Sequence, residues 1–403
     1  MSITKKAIVR GINFSNKGAE AMALTISQIL IENLGYKQVL LNCDPPPYKN
    51  QLRSEVGFYT LSKKSLTKVK TLMFITSRLV QPTYLKLLFN DPKTTLEIIV
   101  LEKEHGKITA FFDAAGFTYS DECSWGASFA MNTKVWSYYC YVKKIPIIFL
   151  PQSWGPFQTN QRIKRNVEKF INLASIIFIR DQQSLTHLSQ LDTKAKIEVH
   201  FSNDIVNLFN DYFPIKNLNQ NYPTKIKSIG ISPNARIVEK THEKDEYICA
   251  LADLIRDLSS EYEITLFANE IDDLKVVELI KTANPDLKCN VIQKHLSVFE
   301  LRDIIRSFDI HISSRFHCLV FALSNNIPSI SIGWSHKYKA LLSDYGMEKY
   351  NFSFEHLDSN KIIQCIKEID DTYTNTVQIL TTKNLFIKTG LKVNVNKIVD
   401  ELK

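Results

Sequence analysis

Arg315 and His317 stand two positions apart in the stretch Ile310-His311-Ile312-Ser313-Ser314-Arg315-Phe316-His317, which runs on as CLVFALSNNIPSISIGW. A guanidinium presents a planar fork to phosphate or carboxylate, and an imidazole donates to an anion or passes a proton near neutral pH. The flanking pattern says where the two lie. IHIS reads as a short buried strand, Ser-Ser-Arg as a polar turn, CLVFALS as an apolar helix and Asn325-Asn326-Ile327-Pro328 as its stop. A second strand then runs to Trp334. The pair therefore falls where a strand gives way to a helix, a place where free N–H groups and the helix dipole favour an anion. The plain alternatives are an arginine paired with a nearby acid and a histidine bonded inside a core.

Other polar clusters follow other candidate strands. After KAIVRGI comes Asn13-Phe14-Ser15-Asn16-Lys17-Gly18-Ala19-Glu20, opening a helix. Asn16, Lys17 and Gly18 form neither a Walker motif nor G-x-G-x-x-G, so the phosphate-loop reading is weak and a plain Asn-capped turn stands close beside it. Glu20 suits the positive end of that helix. After ITAFFDAAG, Asp121 and Glu122 are candidates for a general base, against a solvated acidic turn. IIFLPQ ends in Gln152, Ser153 and Trp154, held by Gly155-Pro156. A tryptophan there either stacks on a sugar face or packs inside the domain. SIIFIR ends at Arg180-Asp181, a structural pair or a second cation for an anionic substrate.

These loops need a scaffold that brings strand ends together. Short β-rich runs alternate with amphipathic stretches at Glu20–Asn33, Gln161–Leu173, Asp245–Leu258, Asp272–Ala283 and Phe299–Ser307. Such alternation predicts α/β architecture with parallel sheets and crossover helices. With 403 residues the chain is long enough for two domains. The Asn-, Lys- and Pro-rich segment between Asn210 and Ser228 marks the join. The expected organisation is an N-terminal α/β domain over 1–212 and a C-terminal α/β domain over 213–403, the last helix packing back on the first. Two Rossmann-like domains facing a cleft would present their ligands on the loops at the carboxyl ends of the strands.

Composition narrows the ligand class. A formal net charge of +8 favours anionic partners, while 44% hydrophobic and 23% charged residues are ordinary globular values. No basic-aromatic RNA signature or zinc-finger spacing occurs, which places nucleic acid last. Seven scattered cysteines form no C-x-x-C pair, which speaks for reduced thiols and against a metal site. No signal-peptide or membrane-spanning run is evident, so the expected location is the cytoplasm.

Several of these blocks, taken in order, resemble the polysaccharide pyruvyl transferase family. NKGAEAM is similar to its N-x-G-[DA]-E-A loop, AAGFTYSD to G-G-G-x4-D, PQSWGPF to P-Q-S-x-G-P-F and IRDQQSL to R-D-x-x-S. SSRFHCLVFA corresponds to S-x-R-x-H-x-x-x-x-A, and WSHK to the following Y-x-x-K. Two departures stand out: Ala114-Ala115 replace the first two glycines of the triple-Gly turn, and Trp334 replaces the usual Tyr. The resemblance implies a glycosyltransferase-B-like fold and transfer of the enolpyruvyl unit of phosphoenolpyruvate to a sugar of a cell-surface glycan, forming a cyclic ketal without a cofactor or metal. It implies that Arg315, His317 and Lys337 hold the donor, that Glu20 orients a sugar hydroxyl and that Asp121 falls on the family's aspartate. Asn16, Lys17, Gly18, Gln152, Ser153, Trp154 and Arg180 complete the expected substrate contacts. On this reading Arg315→Ala and His317→Ala stay folded and lose activity.

Two rival functions share these features. A nucleotide-sugar glycosyltransferase of the same architecture would place a diphosphate at the cationic loop. A non-catalytic glycan-assembly protein would use the basic segment 62–93, in which Lys63, Lys64, Lys68, Lys70, Arg78, Lys86 and Lys93 interleave with apolar residues. That segment reads either as a peripheral contact with an anionic membrane, suiting a lipid-linked acceptor, or as an ordinary surface helix.

Overall fold

In the computed structural model, residues 4–61, 69–193, 198–215, 225–240 and 244–403 are described. The chain forms two compact units: Met1–Phe14, Met22–Ile205 and Gly390–Lys403 in one, Ser15–Ala21 and Val206–Thr389 in the other.

The first unit holds a parallel sheet built from β1 (Lys6–Arg10), β2 (Gln38–Leu41), β3 (Val56–Phe58), β4 (Ala110–Asp113), β5 (Ile147–Gln152), β6 (Ile176–Ile179) and β7 (Val199–Phe201), in the order β3-β2-β1-β4-β5-β6-β7. Its inner strands are buried throughout or nearly so, as expected of strands covered on both faces by crossover helices. An aromatic cluster of Tyr119, Phe149, Trp154 and Phe170 packs against them, Tyr119 lying flat on Trp154 at 5.0 Å.

The second unit repeats the plan with β8 (Ser228–Ser232), β9 (Glu263–Phe267), β10 (Asn290–Ile292), β11 (Ile310–Ser313), β12 (Ser329–Gly333) and β13 (Asn351–Ser353), ordered β10-β9-β8-β11-β12-β13. In both sheets the chain direction across the sheet reverses beside the first strand, between β1 and β4 and between β8 and β11. Crevices at such switch points are where parallel α/β sheets receive ligands.

The chain passes between units at Ile205/Val206, seven residues before the expected join at 212/213. Phe209 and Phe213 explain the difference, since they stack on each other and on Phe299, and Phe209 also meets Phe321. Phe209 is a buried core residue of the second unit, and Phe213 is half-buried against it. Within the Asn- and Lys-rich segment read as a linker, residues 216–224 lie outside the described residues. Among the described residues no helix is long and apolar enough to cross a membrane.

Candidate functional site

The loop after β11 sits at the switch point of the second sheet. Ser232 and Ser313, paired across β8 and β11, place their hydroxyls 2.6 Å apart. Ser314 is clamped from three sides: its carbonyl accepts from Asn234 and Tyr338, and its hydroxyl accepts from Tyr247. His311 below is fully buried, bonded to the Gly230 carbonyl, and burial drives its imidazole down to about 3. It is a neutral core histidine. The loop that carries the next residues is therefore rigid.

Arg315 is the N-terminal flanking residue of the helix Phe316–Ser324, with extended backbone angles. Its side chain turns inward, only 7% of the residue remaining exposed. The fork is held by Glu270 at 3.0 Å and by Asp273. Burial alone would lower the guanidinium's pKa, but Asp273 and Glu270 outweigh it and hold it above its ordinary value. Asp273 in turn accepts from the backbone N–H groups of Ala235 and Glu270 at 2.9 Å each. Arg315 thus takes the plain alternative, an arginine paired with nearby acids. Arg315→Ala is therefore expected to lose stability as well as activity, because removal takes the cation from two inward-facing carboxylates.

His317, one position into the helix, keeps partial exposure and meets the Phe316 ring edge-on at 5.3 Å. Its imidazole rests on Gly18. A methyl group built there would fall 1.9 Å from the ring carbon and from Nδ1, so only glycine admits this approach. The Lys337 ammonium lies 5.4 Å from the same Phe316 ring, 4.7 Å from Trp334 and 5.7 Å from Tyr338. Aromatic faces of this kind favour a cation. Phe316 therefore brings His317 and Lys337 to one place.

The residues beside Gly18 belong to the same unit. Asn16 caps the helix Lys17–Leu34, its side-chain oxygen accepting from the N–H groups of Gly18 at 3.0 Å and Ala19 at 3.2 Å. Those donors are therefore already engaged. Lys17 and Glu20 form a buried pair at 2.7 Å on the first turn. Burial pushes the Glu20 carboxyl up to about 7, against the opposing pull of Lys17 and the Val298 backbone N–H. That value suits a group that exchanges protons near neutrality. His295, which sequence reasoning passed over, is close enough to Lys17 to feel its charge. Partial burial, then Lys17, lower its pKa, while Glu300 raises it. Its readable signal was the Ser297-x-x-Glu300 capping box two residues on.

The expected contacts from the first unit have other occupations. Asp121 accepts from the backbone N–H groups of Gln158 at 2.6 Å, Thr159 at 2.7 Å and Asn160 at 3.1 Å, and so ties down the turn before the helix Gln161–Ile171. Trp154 is not an exposed platform: it is 0% exposed, inside the aromatic core, with its backbone N–H donating to the Ser184 hydroxyl. A large apolar ring flanked by core aromatics gains more from burial than from a solvent-facing loop. Ser153 and Arg180 both donate to the Gly116 carbonyl, at 2.9 and 3.0 Å, and Arg180 is also paired with Asp204. Asp181 caps the following helix through the Ser184 N–H.

These bonds also explain the alanines at 114 and 115. In this turn only Gly116 takes a left-handed φ of 70°. The close approach is supplied from the other side by Gly11, where a methyl group would fall 2.6 Å from the Ala115 nitrogen.

Gln152 is buried and faces Asp113 at 3.5 Å. Asp113 is a carboxylate that sequence reasoning missed. It ends β4 opposite Arg10 of β1 and is bonded to the Tyr119 hydroxyl at 2.8 Å. Burial pushes it up to about 6, against the opposing pulls of Tyr119, the Ala115 N–H, Arg10 and Gln152. Its signal was its place at the end of an apolar strand.

Comparisons with known proteins agree with this geometry at two levels. The family model described as "Polysaccharide pyruvyl transferase" matches residues 16–336. No curated protein matches the sequence significantly. Among solved structures, a Staphylococcus aureus MnaA–UDP co-structure is 14% identical, covers 94% of this chain and 91% of its own, and has a TM-score of 0.57. The UDP-GlcNAc 2-epimerase from Neisseria meningitidis bound to UDP-GlcNAc is 11% identical, covers 98% and 99%, and scores 0.56. A trehalose-6-phosphate synthase, OtsA, is 9% identical, covers 99% and 98%, and scores 0.55. At these identities the likeness is one of fold, glycosyltransferase-B-like.

Proposed function

Because the chain belongs to the polysaccharide pyruvyl transferase family, and is thus a transferase, we propose that it moves the enolpyruvyl group of phosphoenolpyruvate to a sugar of a cell-surface polysaccharide or of its lipid-linked precursor. A pyruvate ketal forms and phosphate leaves. The observation that carries this reading is that the family match over residues 16–336 includes the Asn16–Glu20 turn and the Arg315–His317 loop, and that these meet at Gly18.

Phosphoenolpyruvate is a compact trianion, and His317 and Lys337 both approach the Phe316 ring and keep partial exposure. They hold its phosphate and carboxylate. Arg315 joins them by exchanging a carboxylate partner for the donor, and otherwise holds the loop in place. Protonation of the methylene carbon makes an oxocarbenium-like centre, which a sugar hydroxyl attacks. The second hydroxyl displaces phosphate. Of the two hydroxyl protons released, one balances the proton taken up at carbon and the other leaves with phosphate. Glu20 and His317 are the groups for these transfers. A fixed cation at the departing phosphate carries weight, since removing one preorganised donor costs ~2.7–4 kcal/mol of transition-state stabilisation.

The site acts in the cytoplasm, and contact with the membrane comes from the helices Val69–Leu79 and Pro82–Asn90. These and the turn between them expose Met73, Val80, Leu85 and Phe89 beside Arg78 and Lys86. Lys63, Lys64 and Lys68 lie outside the described residues. Co-sedimentation with anionic vesicles checks this, with Phe89→Glu expected to weaken binding.

The test of the reaction is incubation of isotope-labelled phosphoenolpyruvate with extracted lipid-linked and polymeric glycans. Label should appear in an acid-labile glycan adduct in step with phosphate release. Label transfer from a nucleotide sugar, with none from phosphoenolpyruvate, would overturn the reading.

A further inference from the structure

The C-terminal helix Tyr373–Glu401 has two apolar faces. One, through Val377, Leu380, Ile387, Leu391 and Ile398, is buried. On the other, Ile379, Phe386 and Val393 recur every seven residues and are 42%, 78% and 53% exposed, with Leu385 beside them at 70%. Exposed Thr382 and Thr389 fill the intervening positions, and exposed Asn375 and Asn396 end the stripe. The spacing alternates four and three, the period of a helix-pairing seam, and no residue in it is charged. The seam covers about 30 Å of helix.

Its order is self-complementary. Outward from Phe386 in either direction come a threonine (382, 389), a β-branched aliphatic (379, 393) and an asparagine (375, 396). A stripe with that symmetry sets like residues against like when a second copy lies on it in reverse, as a two-fold axis at Phe386 would place it. We propose that a second copy of this chain docks here, the two helices running antiparallel and crossing at Phe386.

The flanking charges favour the same arrangement. In the antiparallel register Leu385 meets its own counterpart, Lys383 faces Gly390, Lys392 faces Gln378 and Lys397 faces Thr376. No lysine meets a lysine. A parallel pair would set Lys392 against Lys397 on both sides, a repulsive contact at the positions that choose orientation. Gly390 leaves room for close approach, since a methyl group built there would meet nothing within 4 Å.

Sedimentation velocity of the full chain over a broad concentration range tests this. Wild type is expected to dimerise. Phe386→Glu, at an exposed position that leaves the fold intact by circular dichroism, is expected to raise the dissociation constant about 30-fold or more, as loss of a central anchor does. Under oxidation, and against the wild-type background, Leu385→Cys should form a linked dimer and Asn375→Cys should not. Linkage through Asn375→Cys instead would overturn the antiparallel register. A wild-type monomer at every concentration, a Phe386→Glu variant that dimerises like wild type, or a monomer that binds anionic vesicles through this helix would overturn the proposal.

Discussion

Replacing Arg315 with alanine removes the cation from a cluster in which Asp273 is 0% exposed and Glu270 is largely covered. Asp273 then loses the cation it is paired with, and Glu270 keeps only the weaker pull of Arg236. Breaking a buried pair from one side costs about 3–5 kcal/mol, because the stranded charge keeps its desolvation penalty. In a unit of this size, each kcal/mol moves the melting temperature by roughly 2–4 °C, so the variant should melt about 6–20 °C below wild type. The loss should also depend on pH. Burial already raises Glu270, and without Arg315 its folded-state carboxyl pKa moves further above its unfolded value. The folded variant then binds more protons than the unfolded chain in that window, so its stability falls as pH rises. The assay is thermal and urea unfolding of wild type, Arg315→Ala, Asp273→Asn and the double variant at pH 5.5 and 8. The double variant should recover part of the single variant's loss. An Arg315→Ala protein melting within about 2 °C of wild type at both pH values would refute the reasoning, and would return Arg315 to the role of a freely available donor contact. Activity of this variant has meaning only below its own melting range.

Three further outcomes follow from the site. Asp121→Asn should cost about 1 kcal/mol or somewhat more through its weakened turn and leave turnover near wild type, whereas a general base would lose 10²–10⁴-fold, so steady-state kinetics beside a melt separates the two. Gly18→Ala should stay folded but displace the His317 ring that its new methyl group would strike; turnover should fall by about 100-fold with little change in phosphoenolpyruvate affinity, and an unchanged turnover would mean that His317 needs no seat there. Glu20, protonated up to about pH 7 in the fold and only to about 4.5 unfolded, makes the protein lose about 3 kcal/mol between those values as pH rises, and Glu20→Gln should flatten that slope in pH-dependent urea titrations.

The sequence was most legible where burial is two-sided. Each inner strand of both sheets is visible as an apolar run, KQVLLNC, SIGISP and EITLFA at β2, β8 and β9 among them. The four strands it did not reveal, β3, β7, β10 and β13, are the sheet edges, each three residues long. An edge strand is short and half solvated, so its composition resembles a loop. The strand-to-helix setting of Arg315 and His317 was equally readable, because a polar turn between apolar segments has few other places to go. The direction in which Arg315 points was not: Glu270 and Asp273 lie over forty positions away, and local spacing carries no trace of their pairing. Trp154 shows the same limit. Its Gly-Pro neighbours mark a loop, yet Tyr119, Phe149 and Phe170 converge to bury it. The early boundary at Ile205 likewise depended on phenylalanines whose partners come from far along the chain.

The donor is the centre of the account, and ligand-dependent melting of wild-type protein tests it most directly. Phosphoenolpyruvate at about 100 times its dissociation constant should add about 2.7 kcal/mol, a rise of several degrees, while UDP-GlcNAc and other nucleotide sugars at the same concentration should add nothing. Stabilisation by a nucleotide sugar and none by phosphoenolpyruvate would contradict the account and assign the cationic loop to a diphosphate.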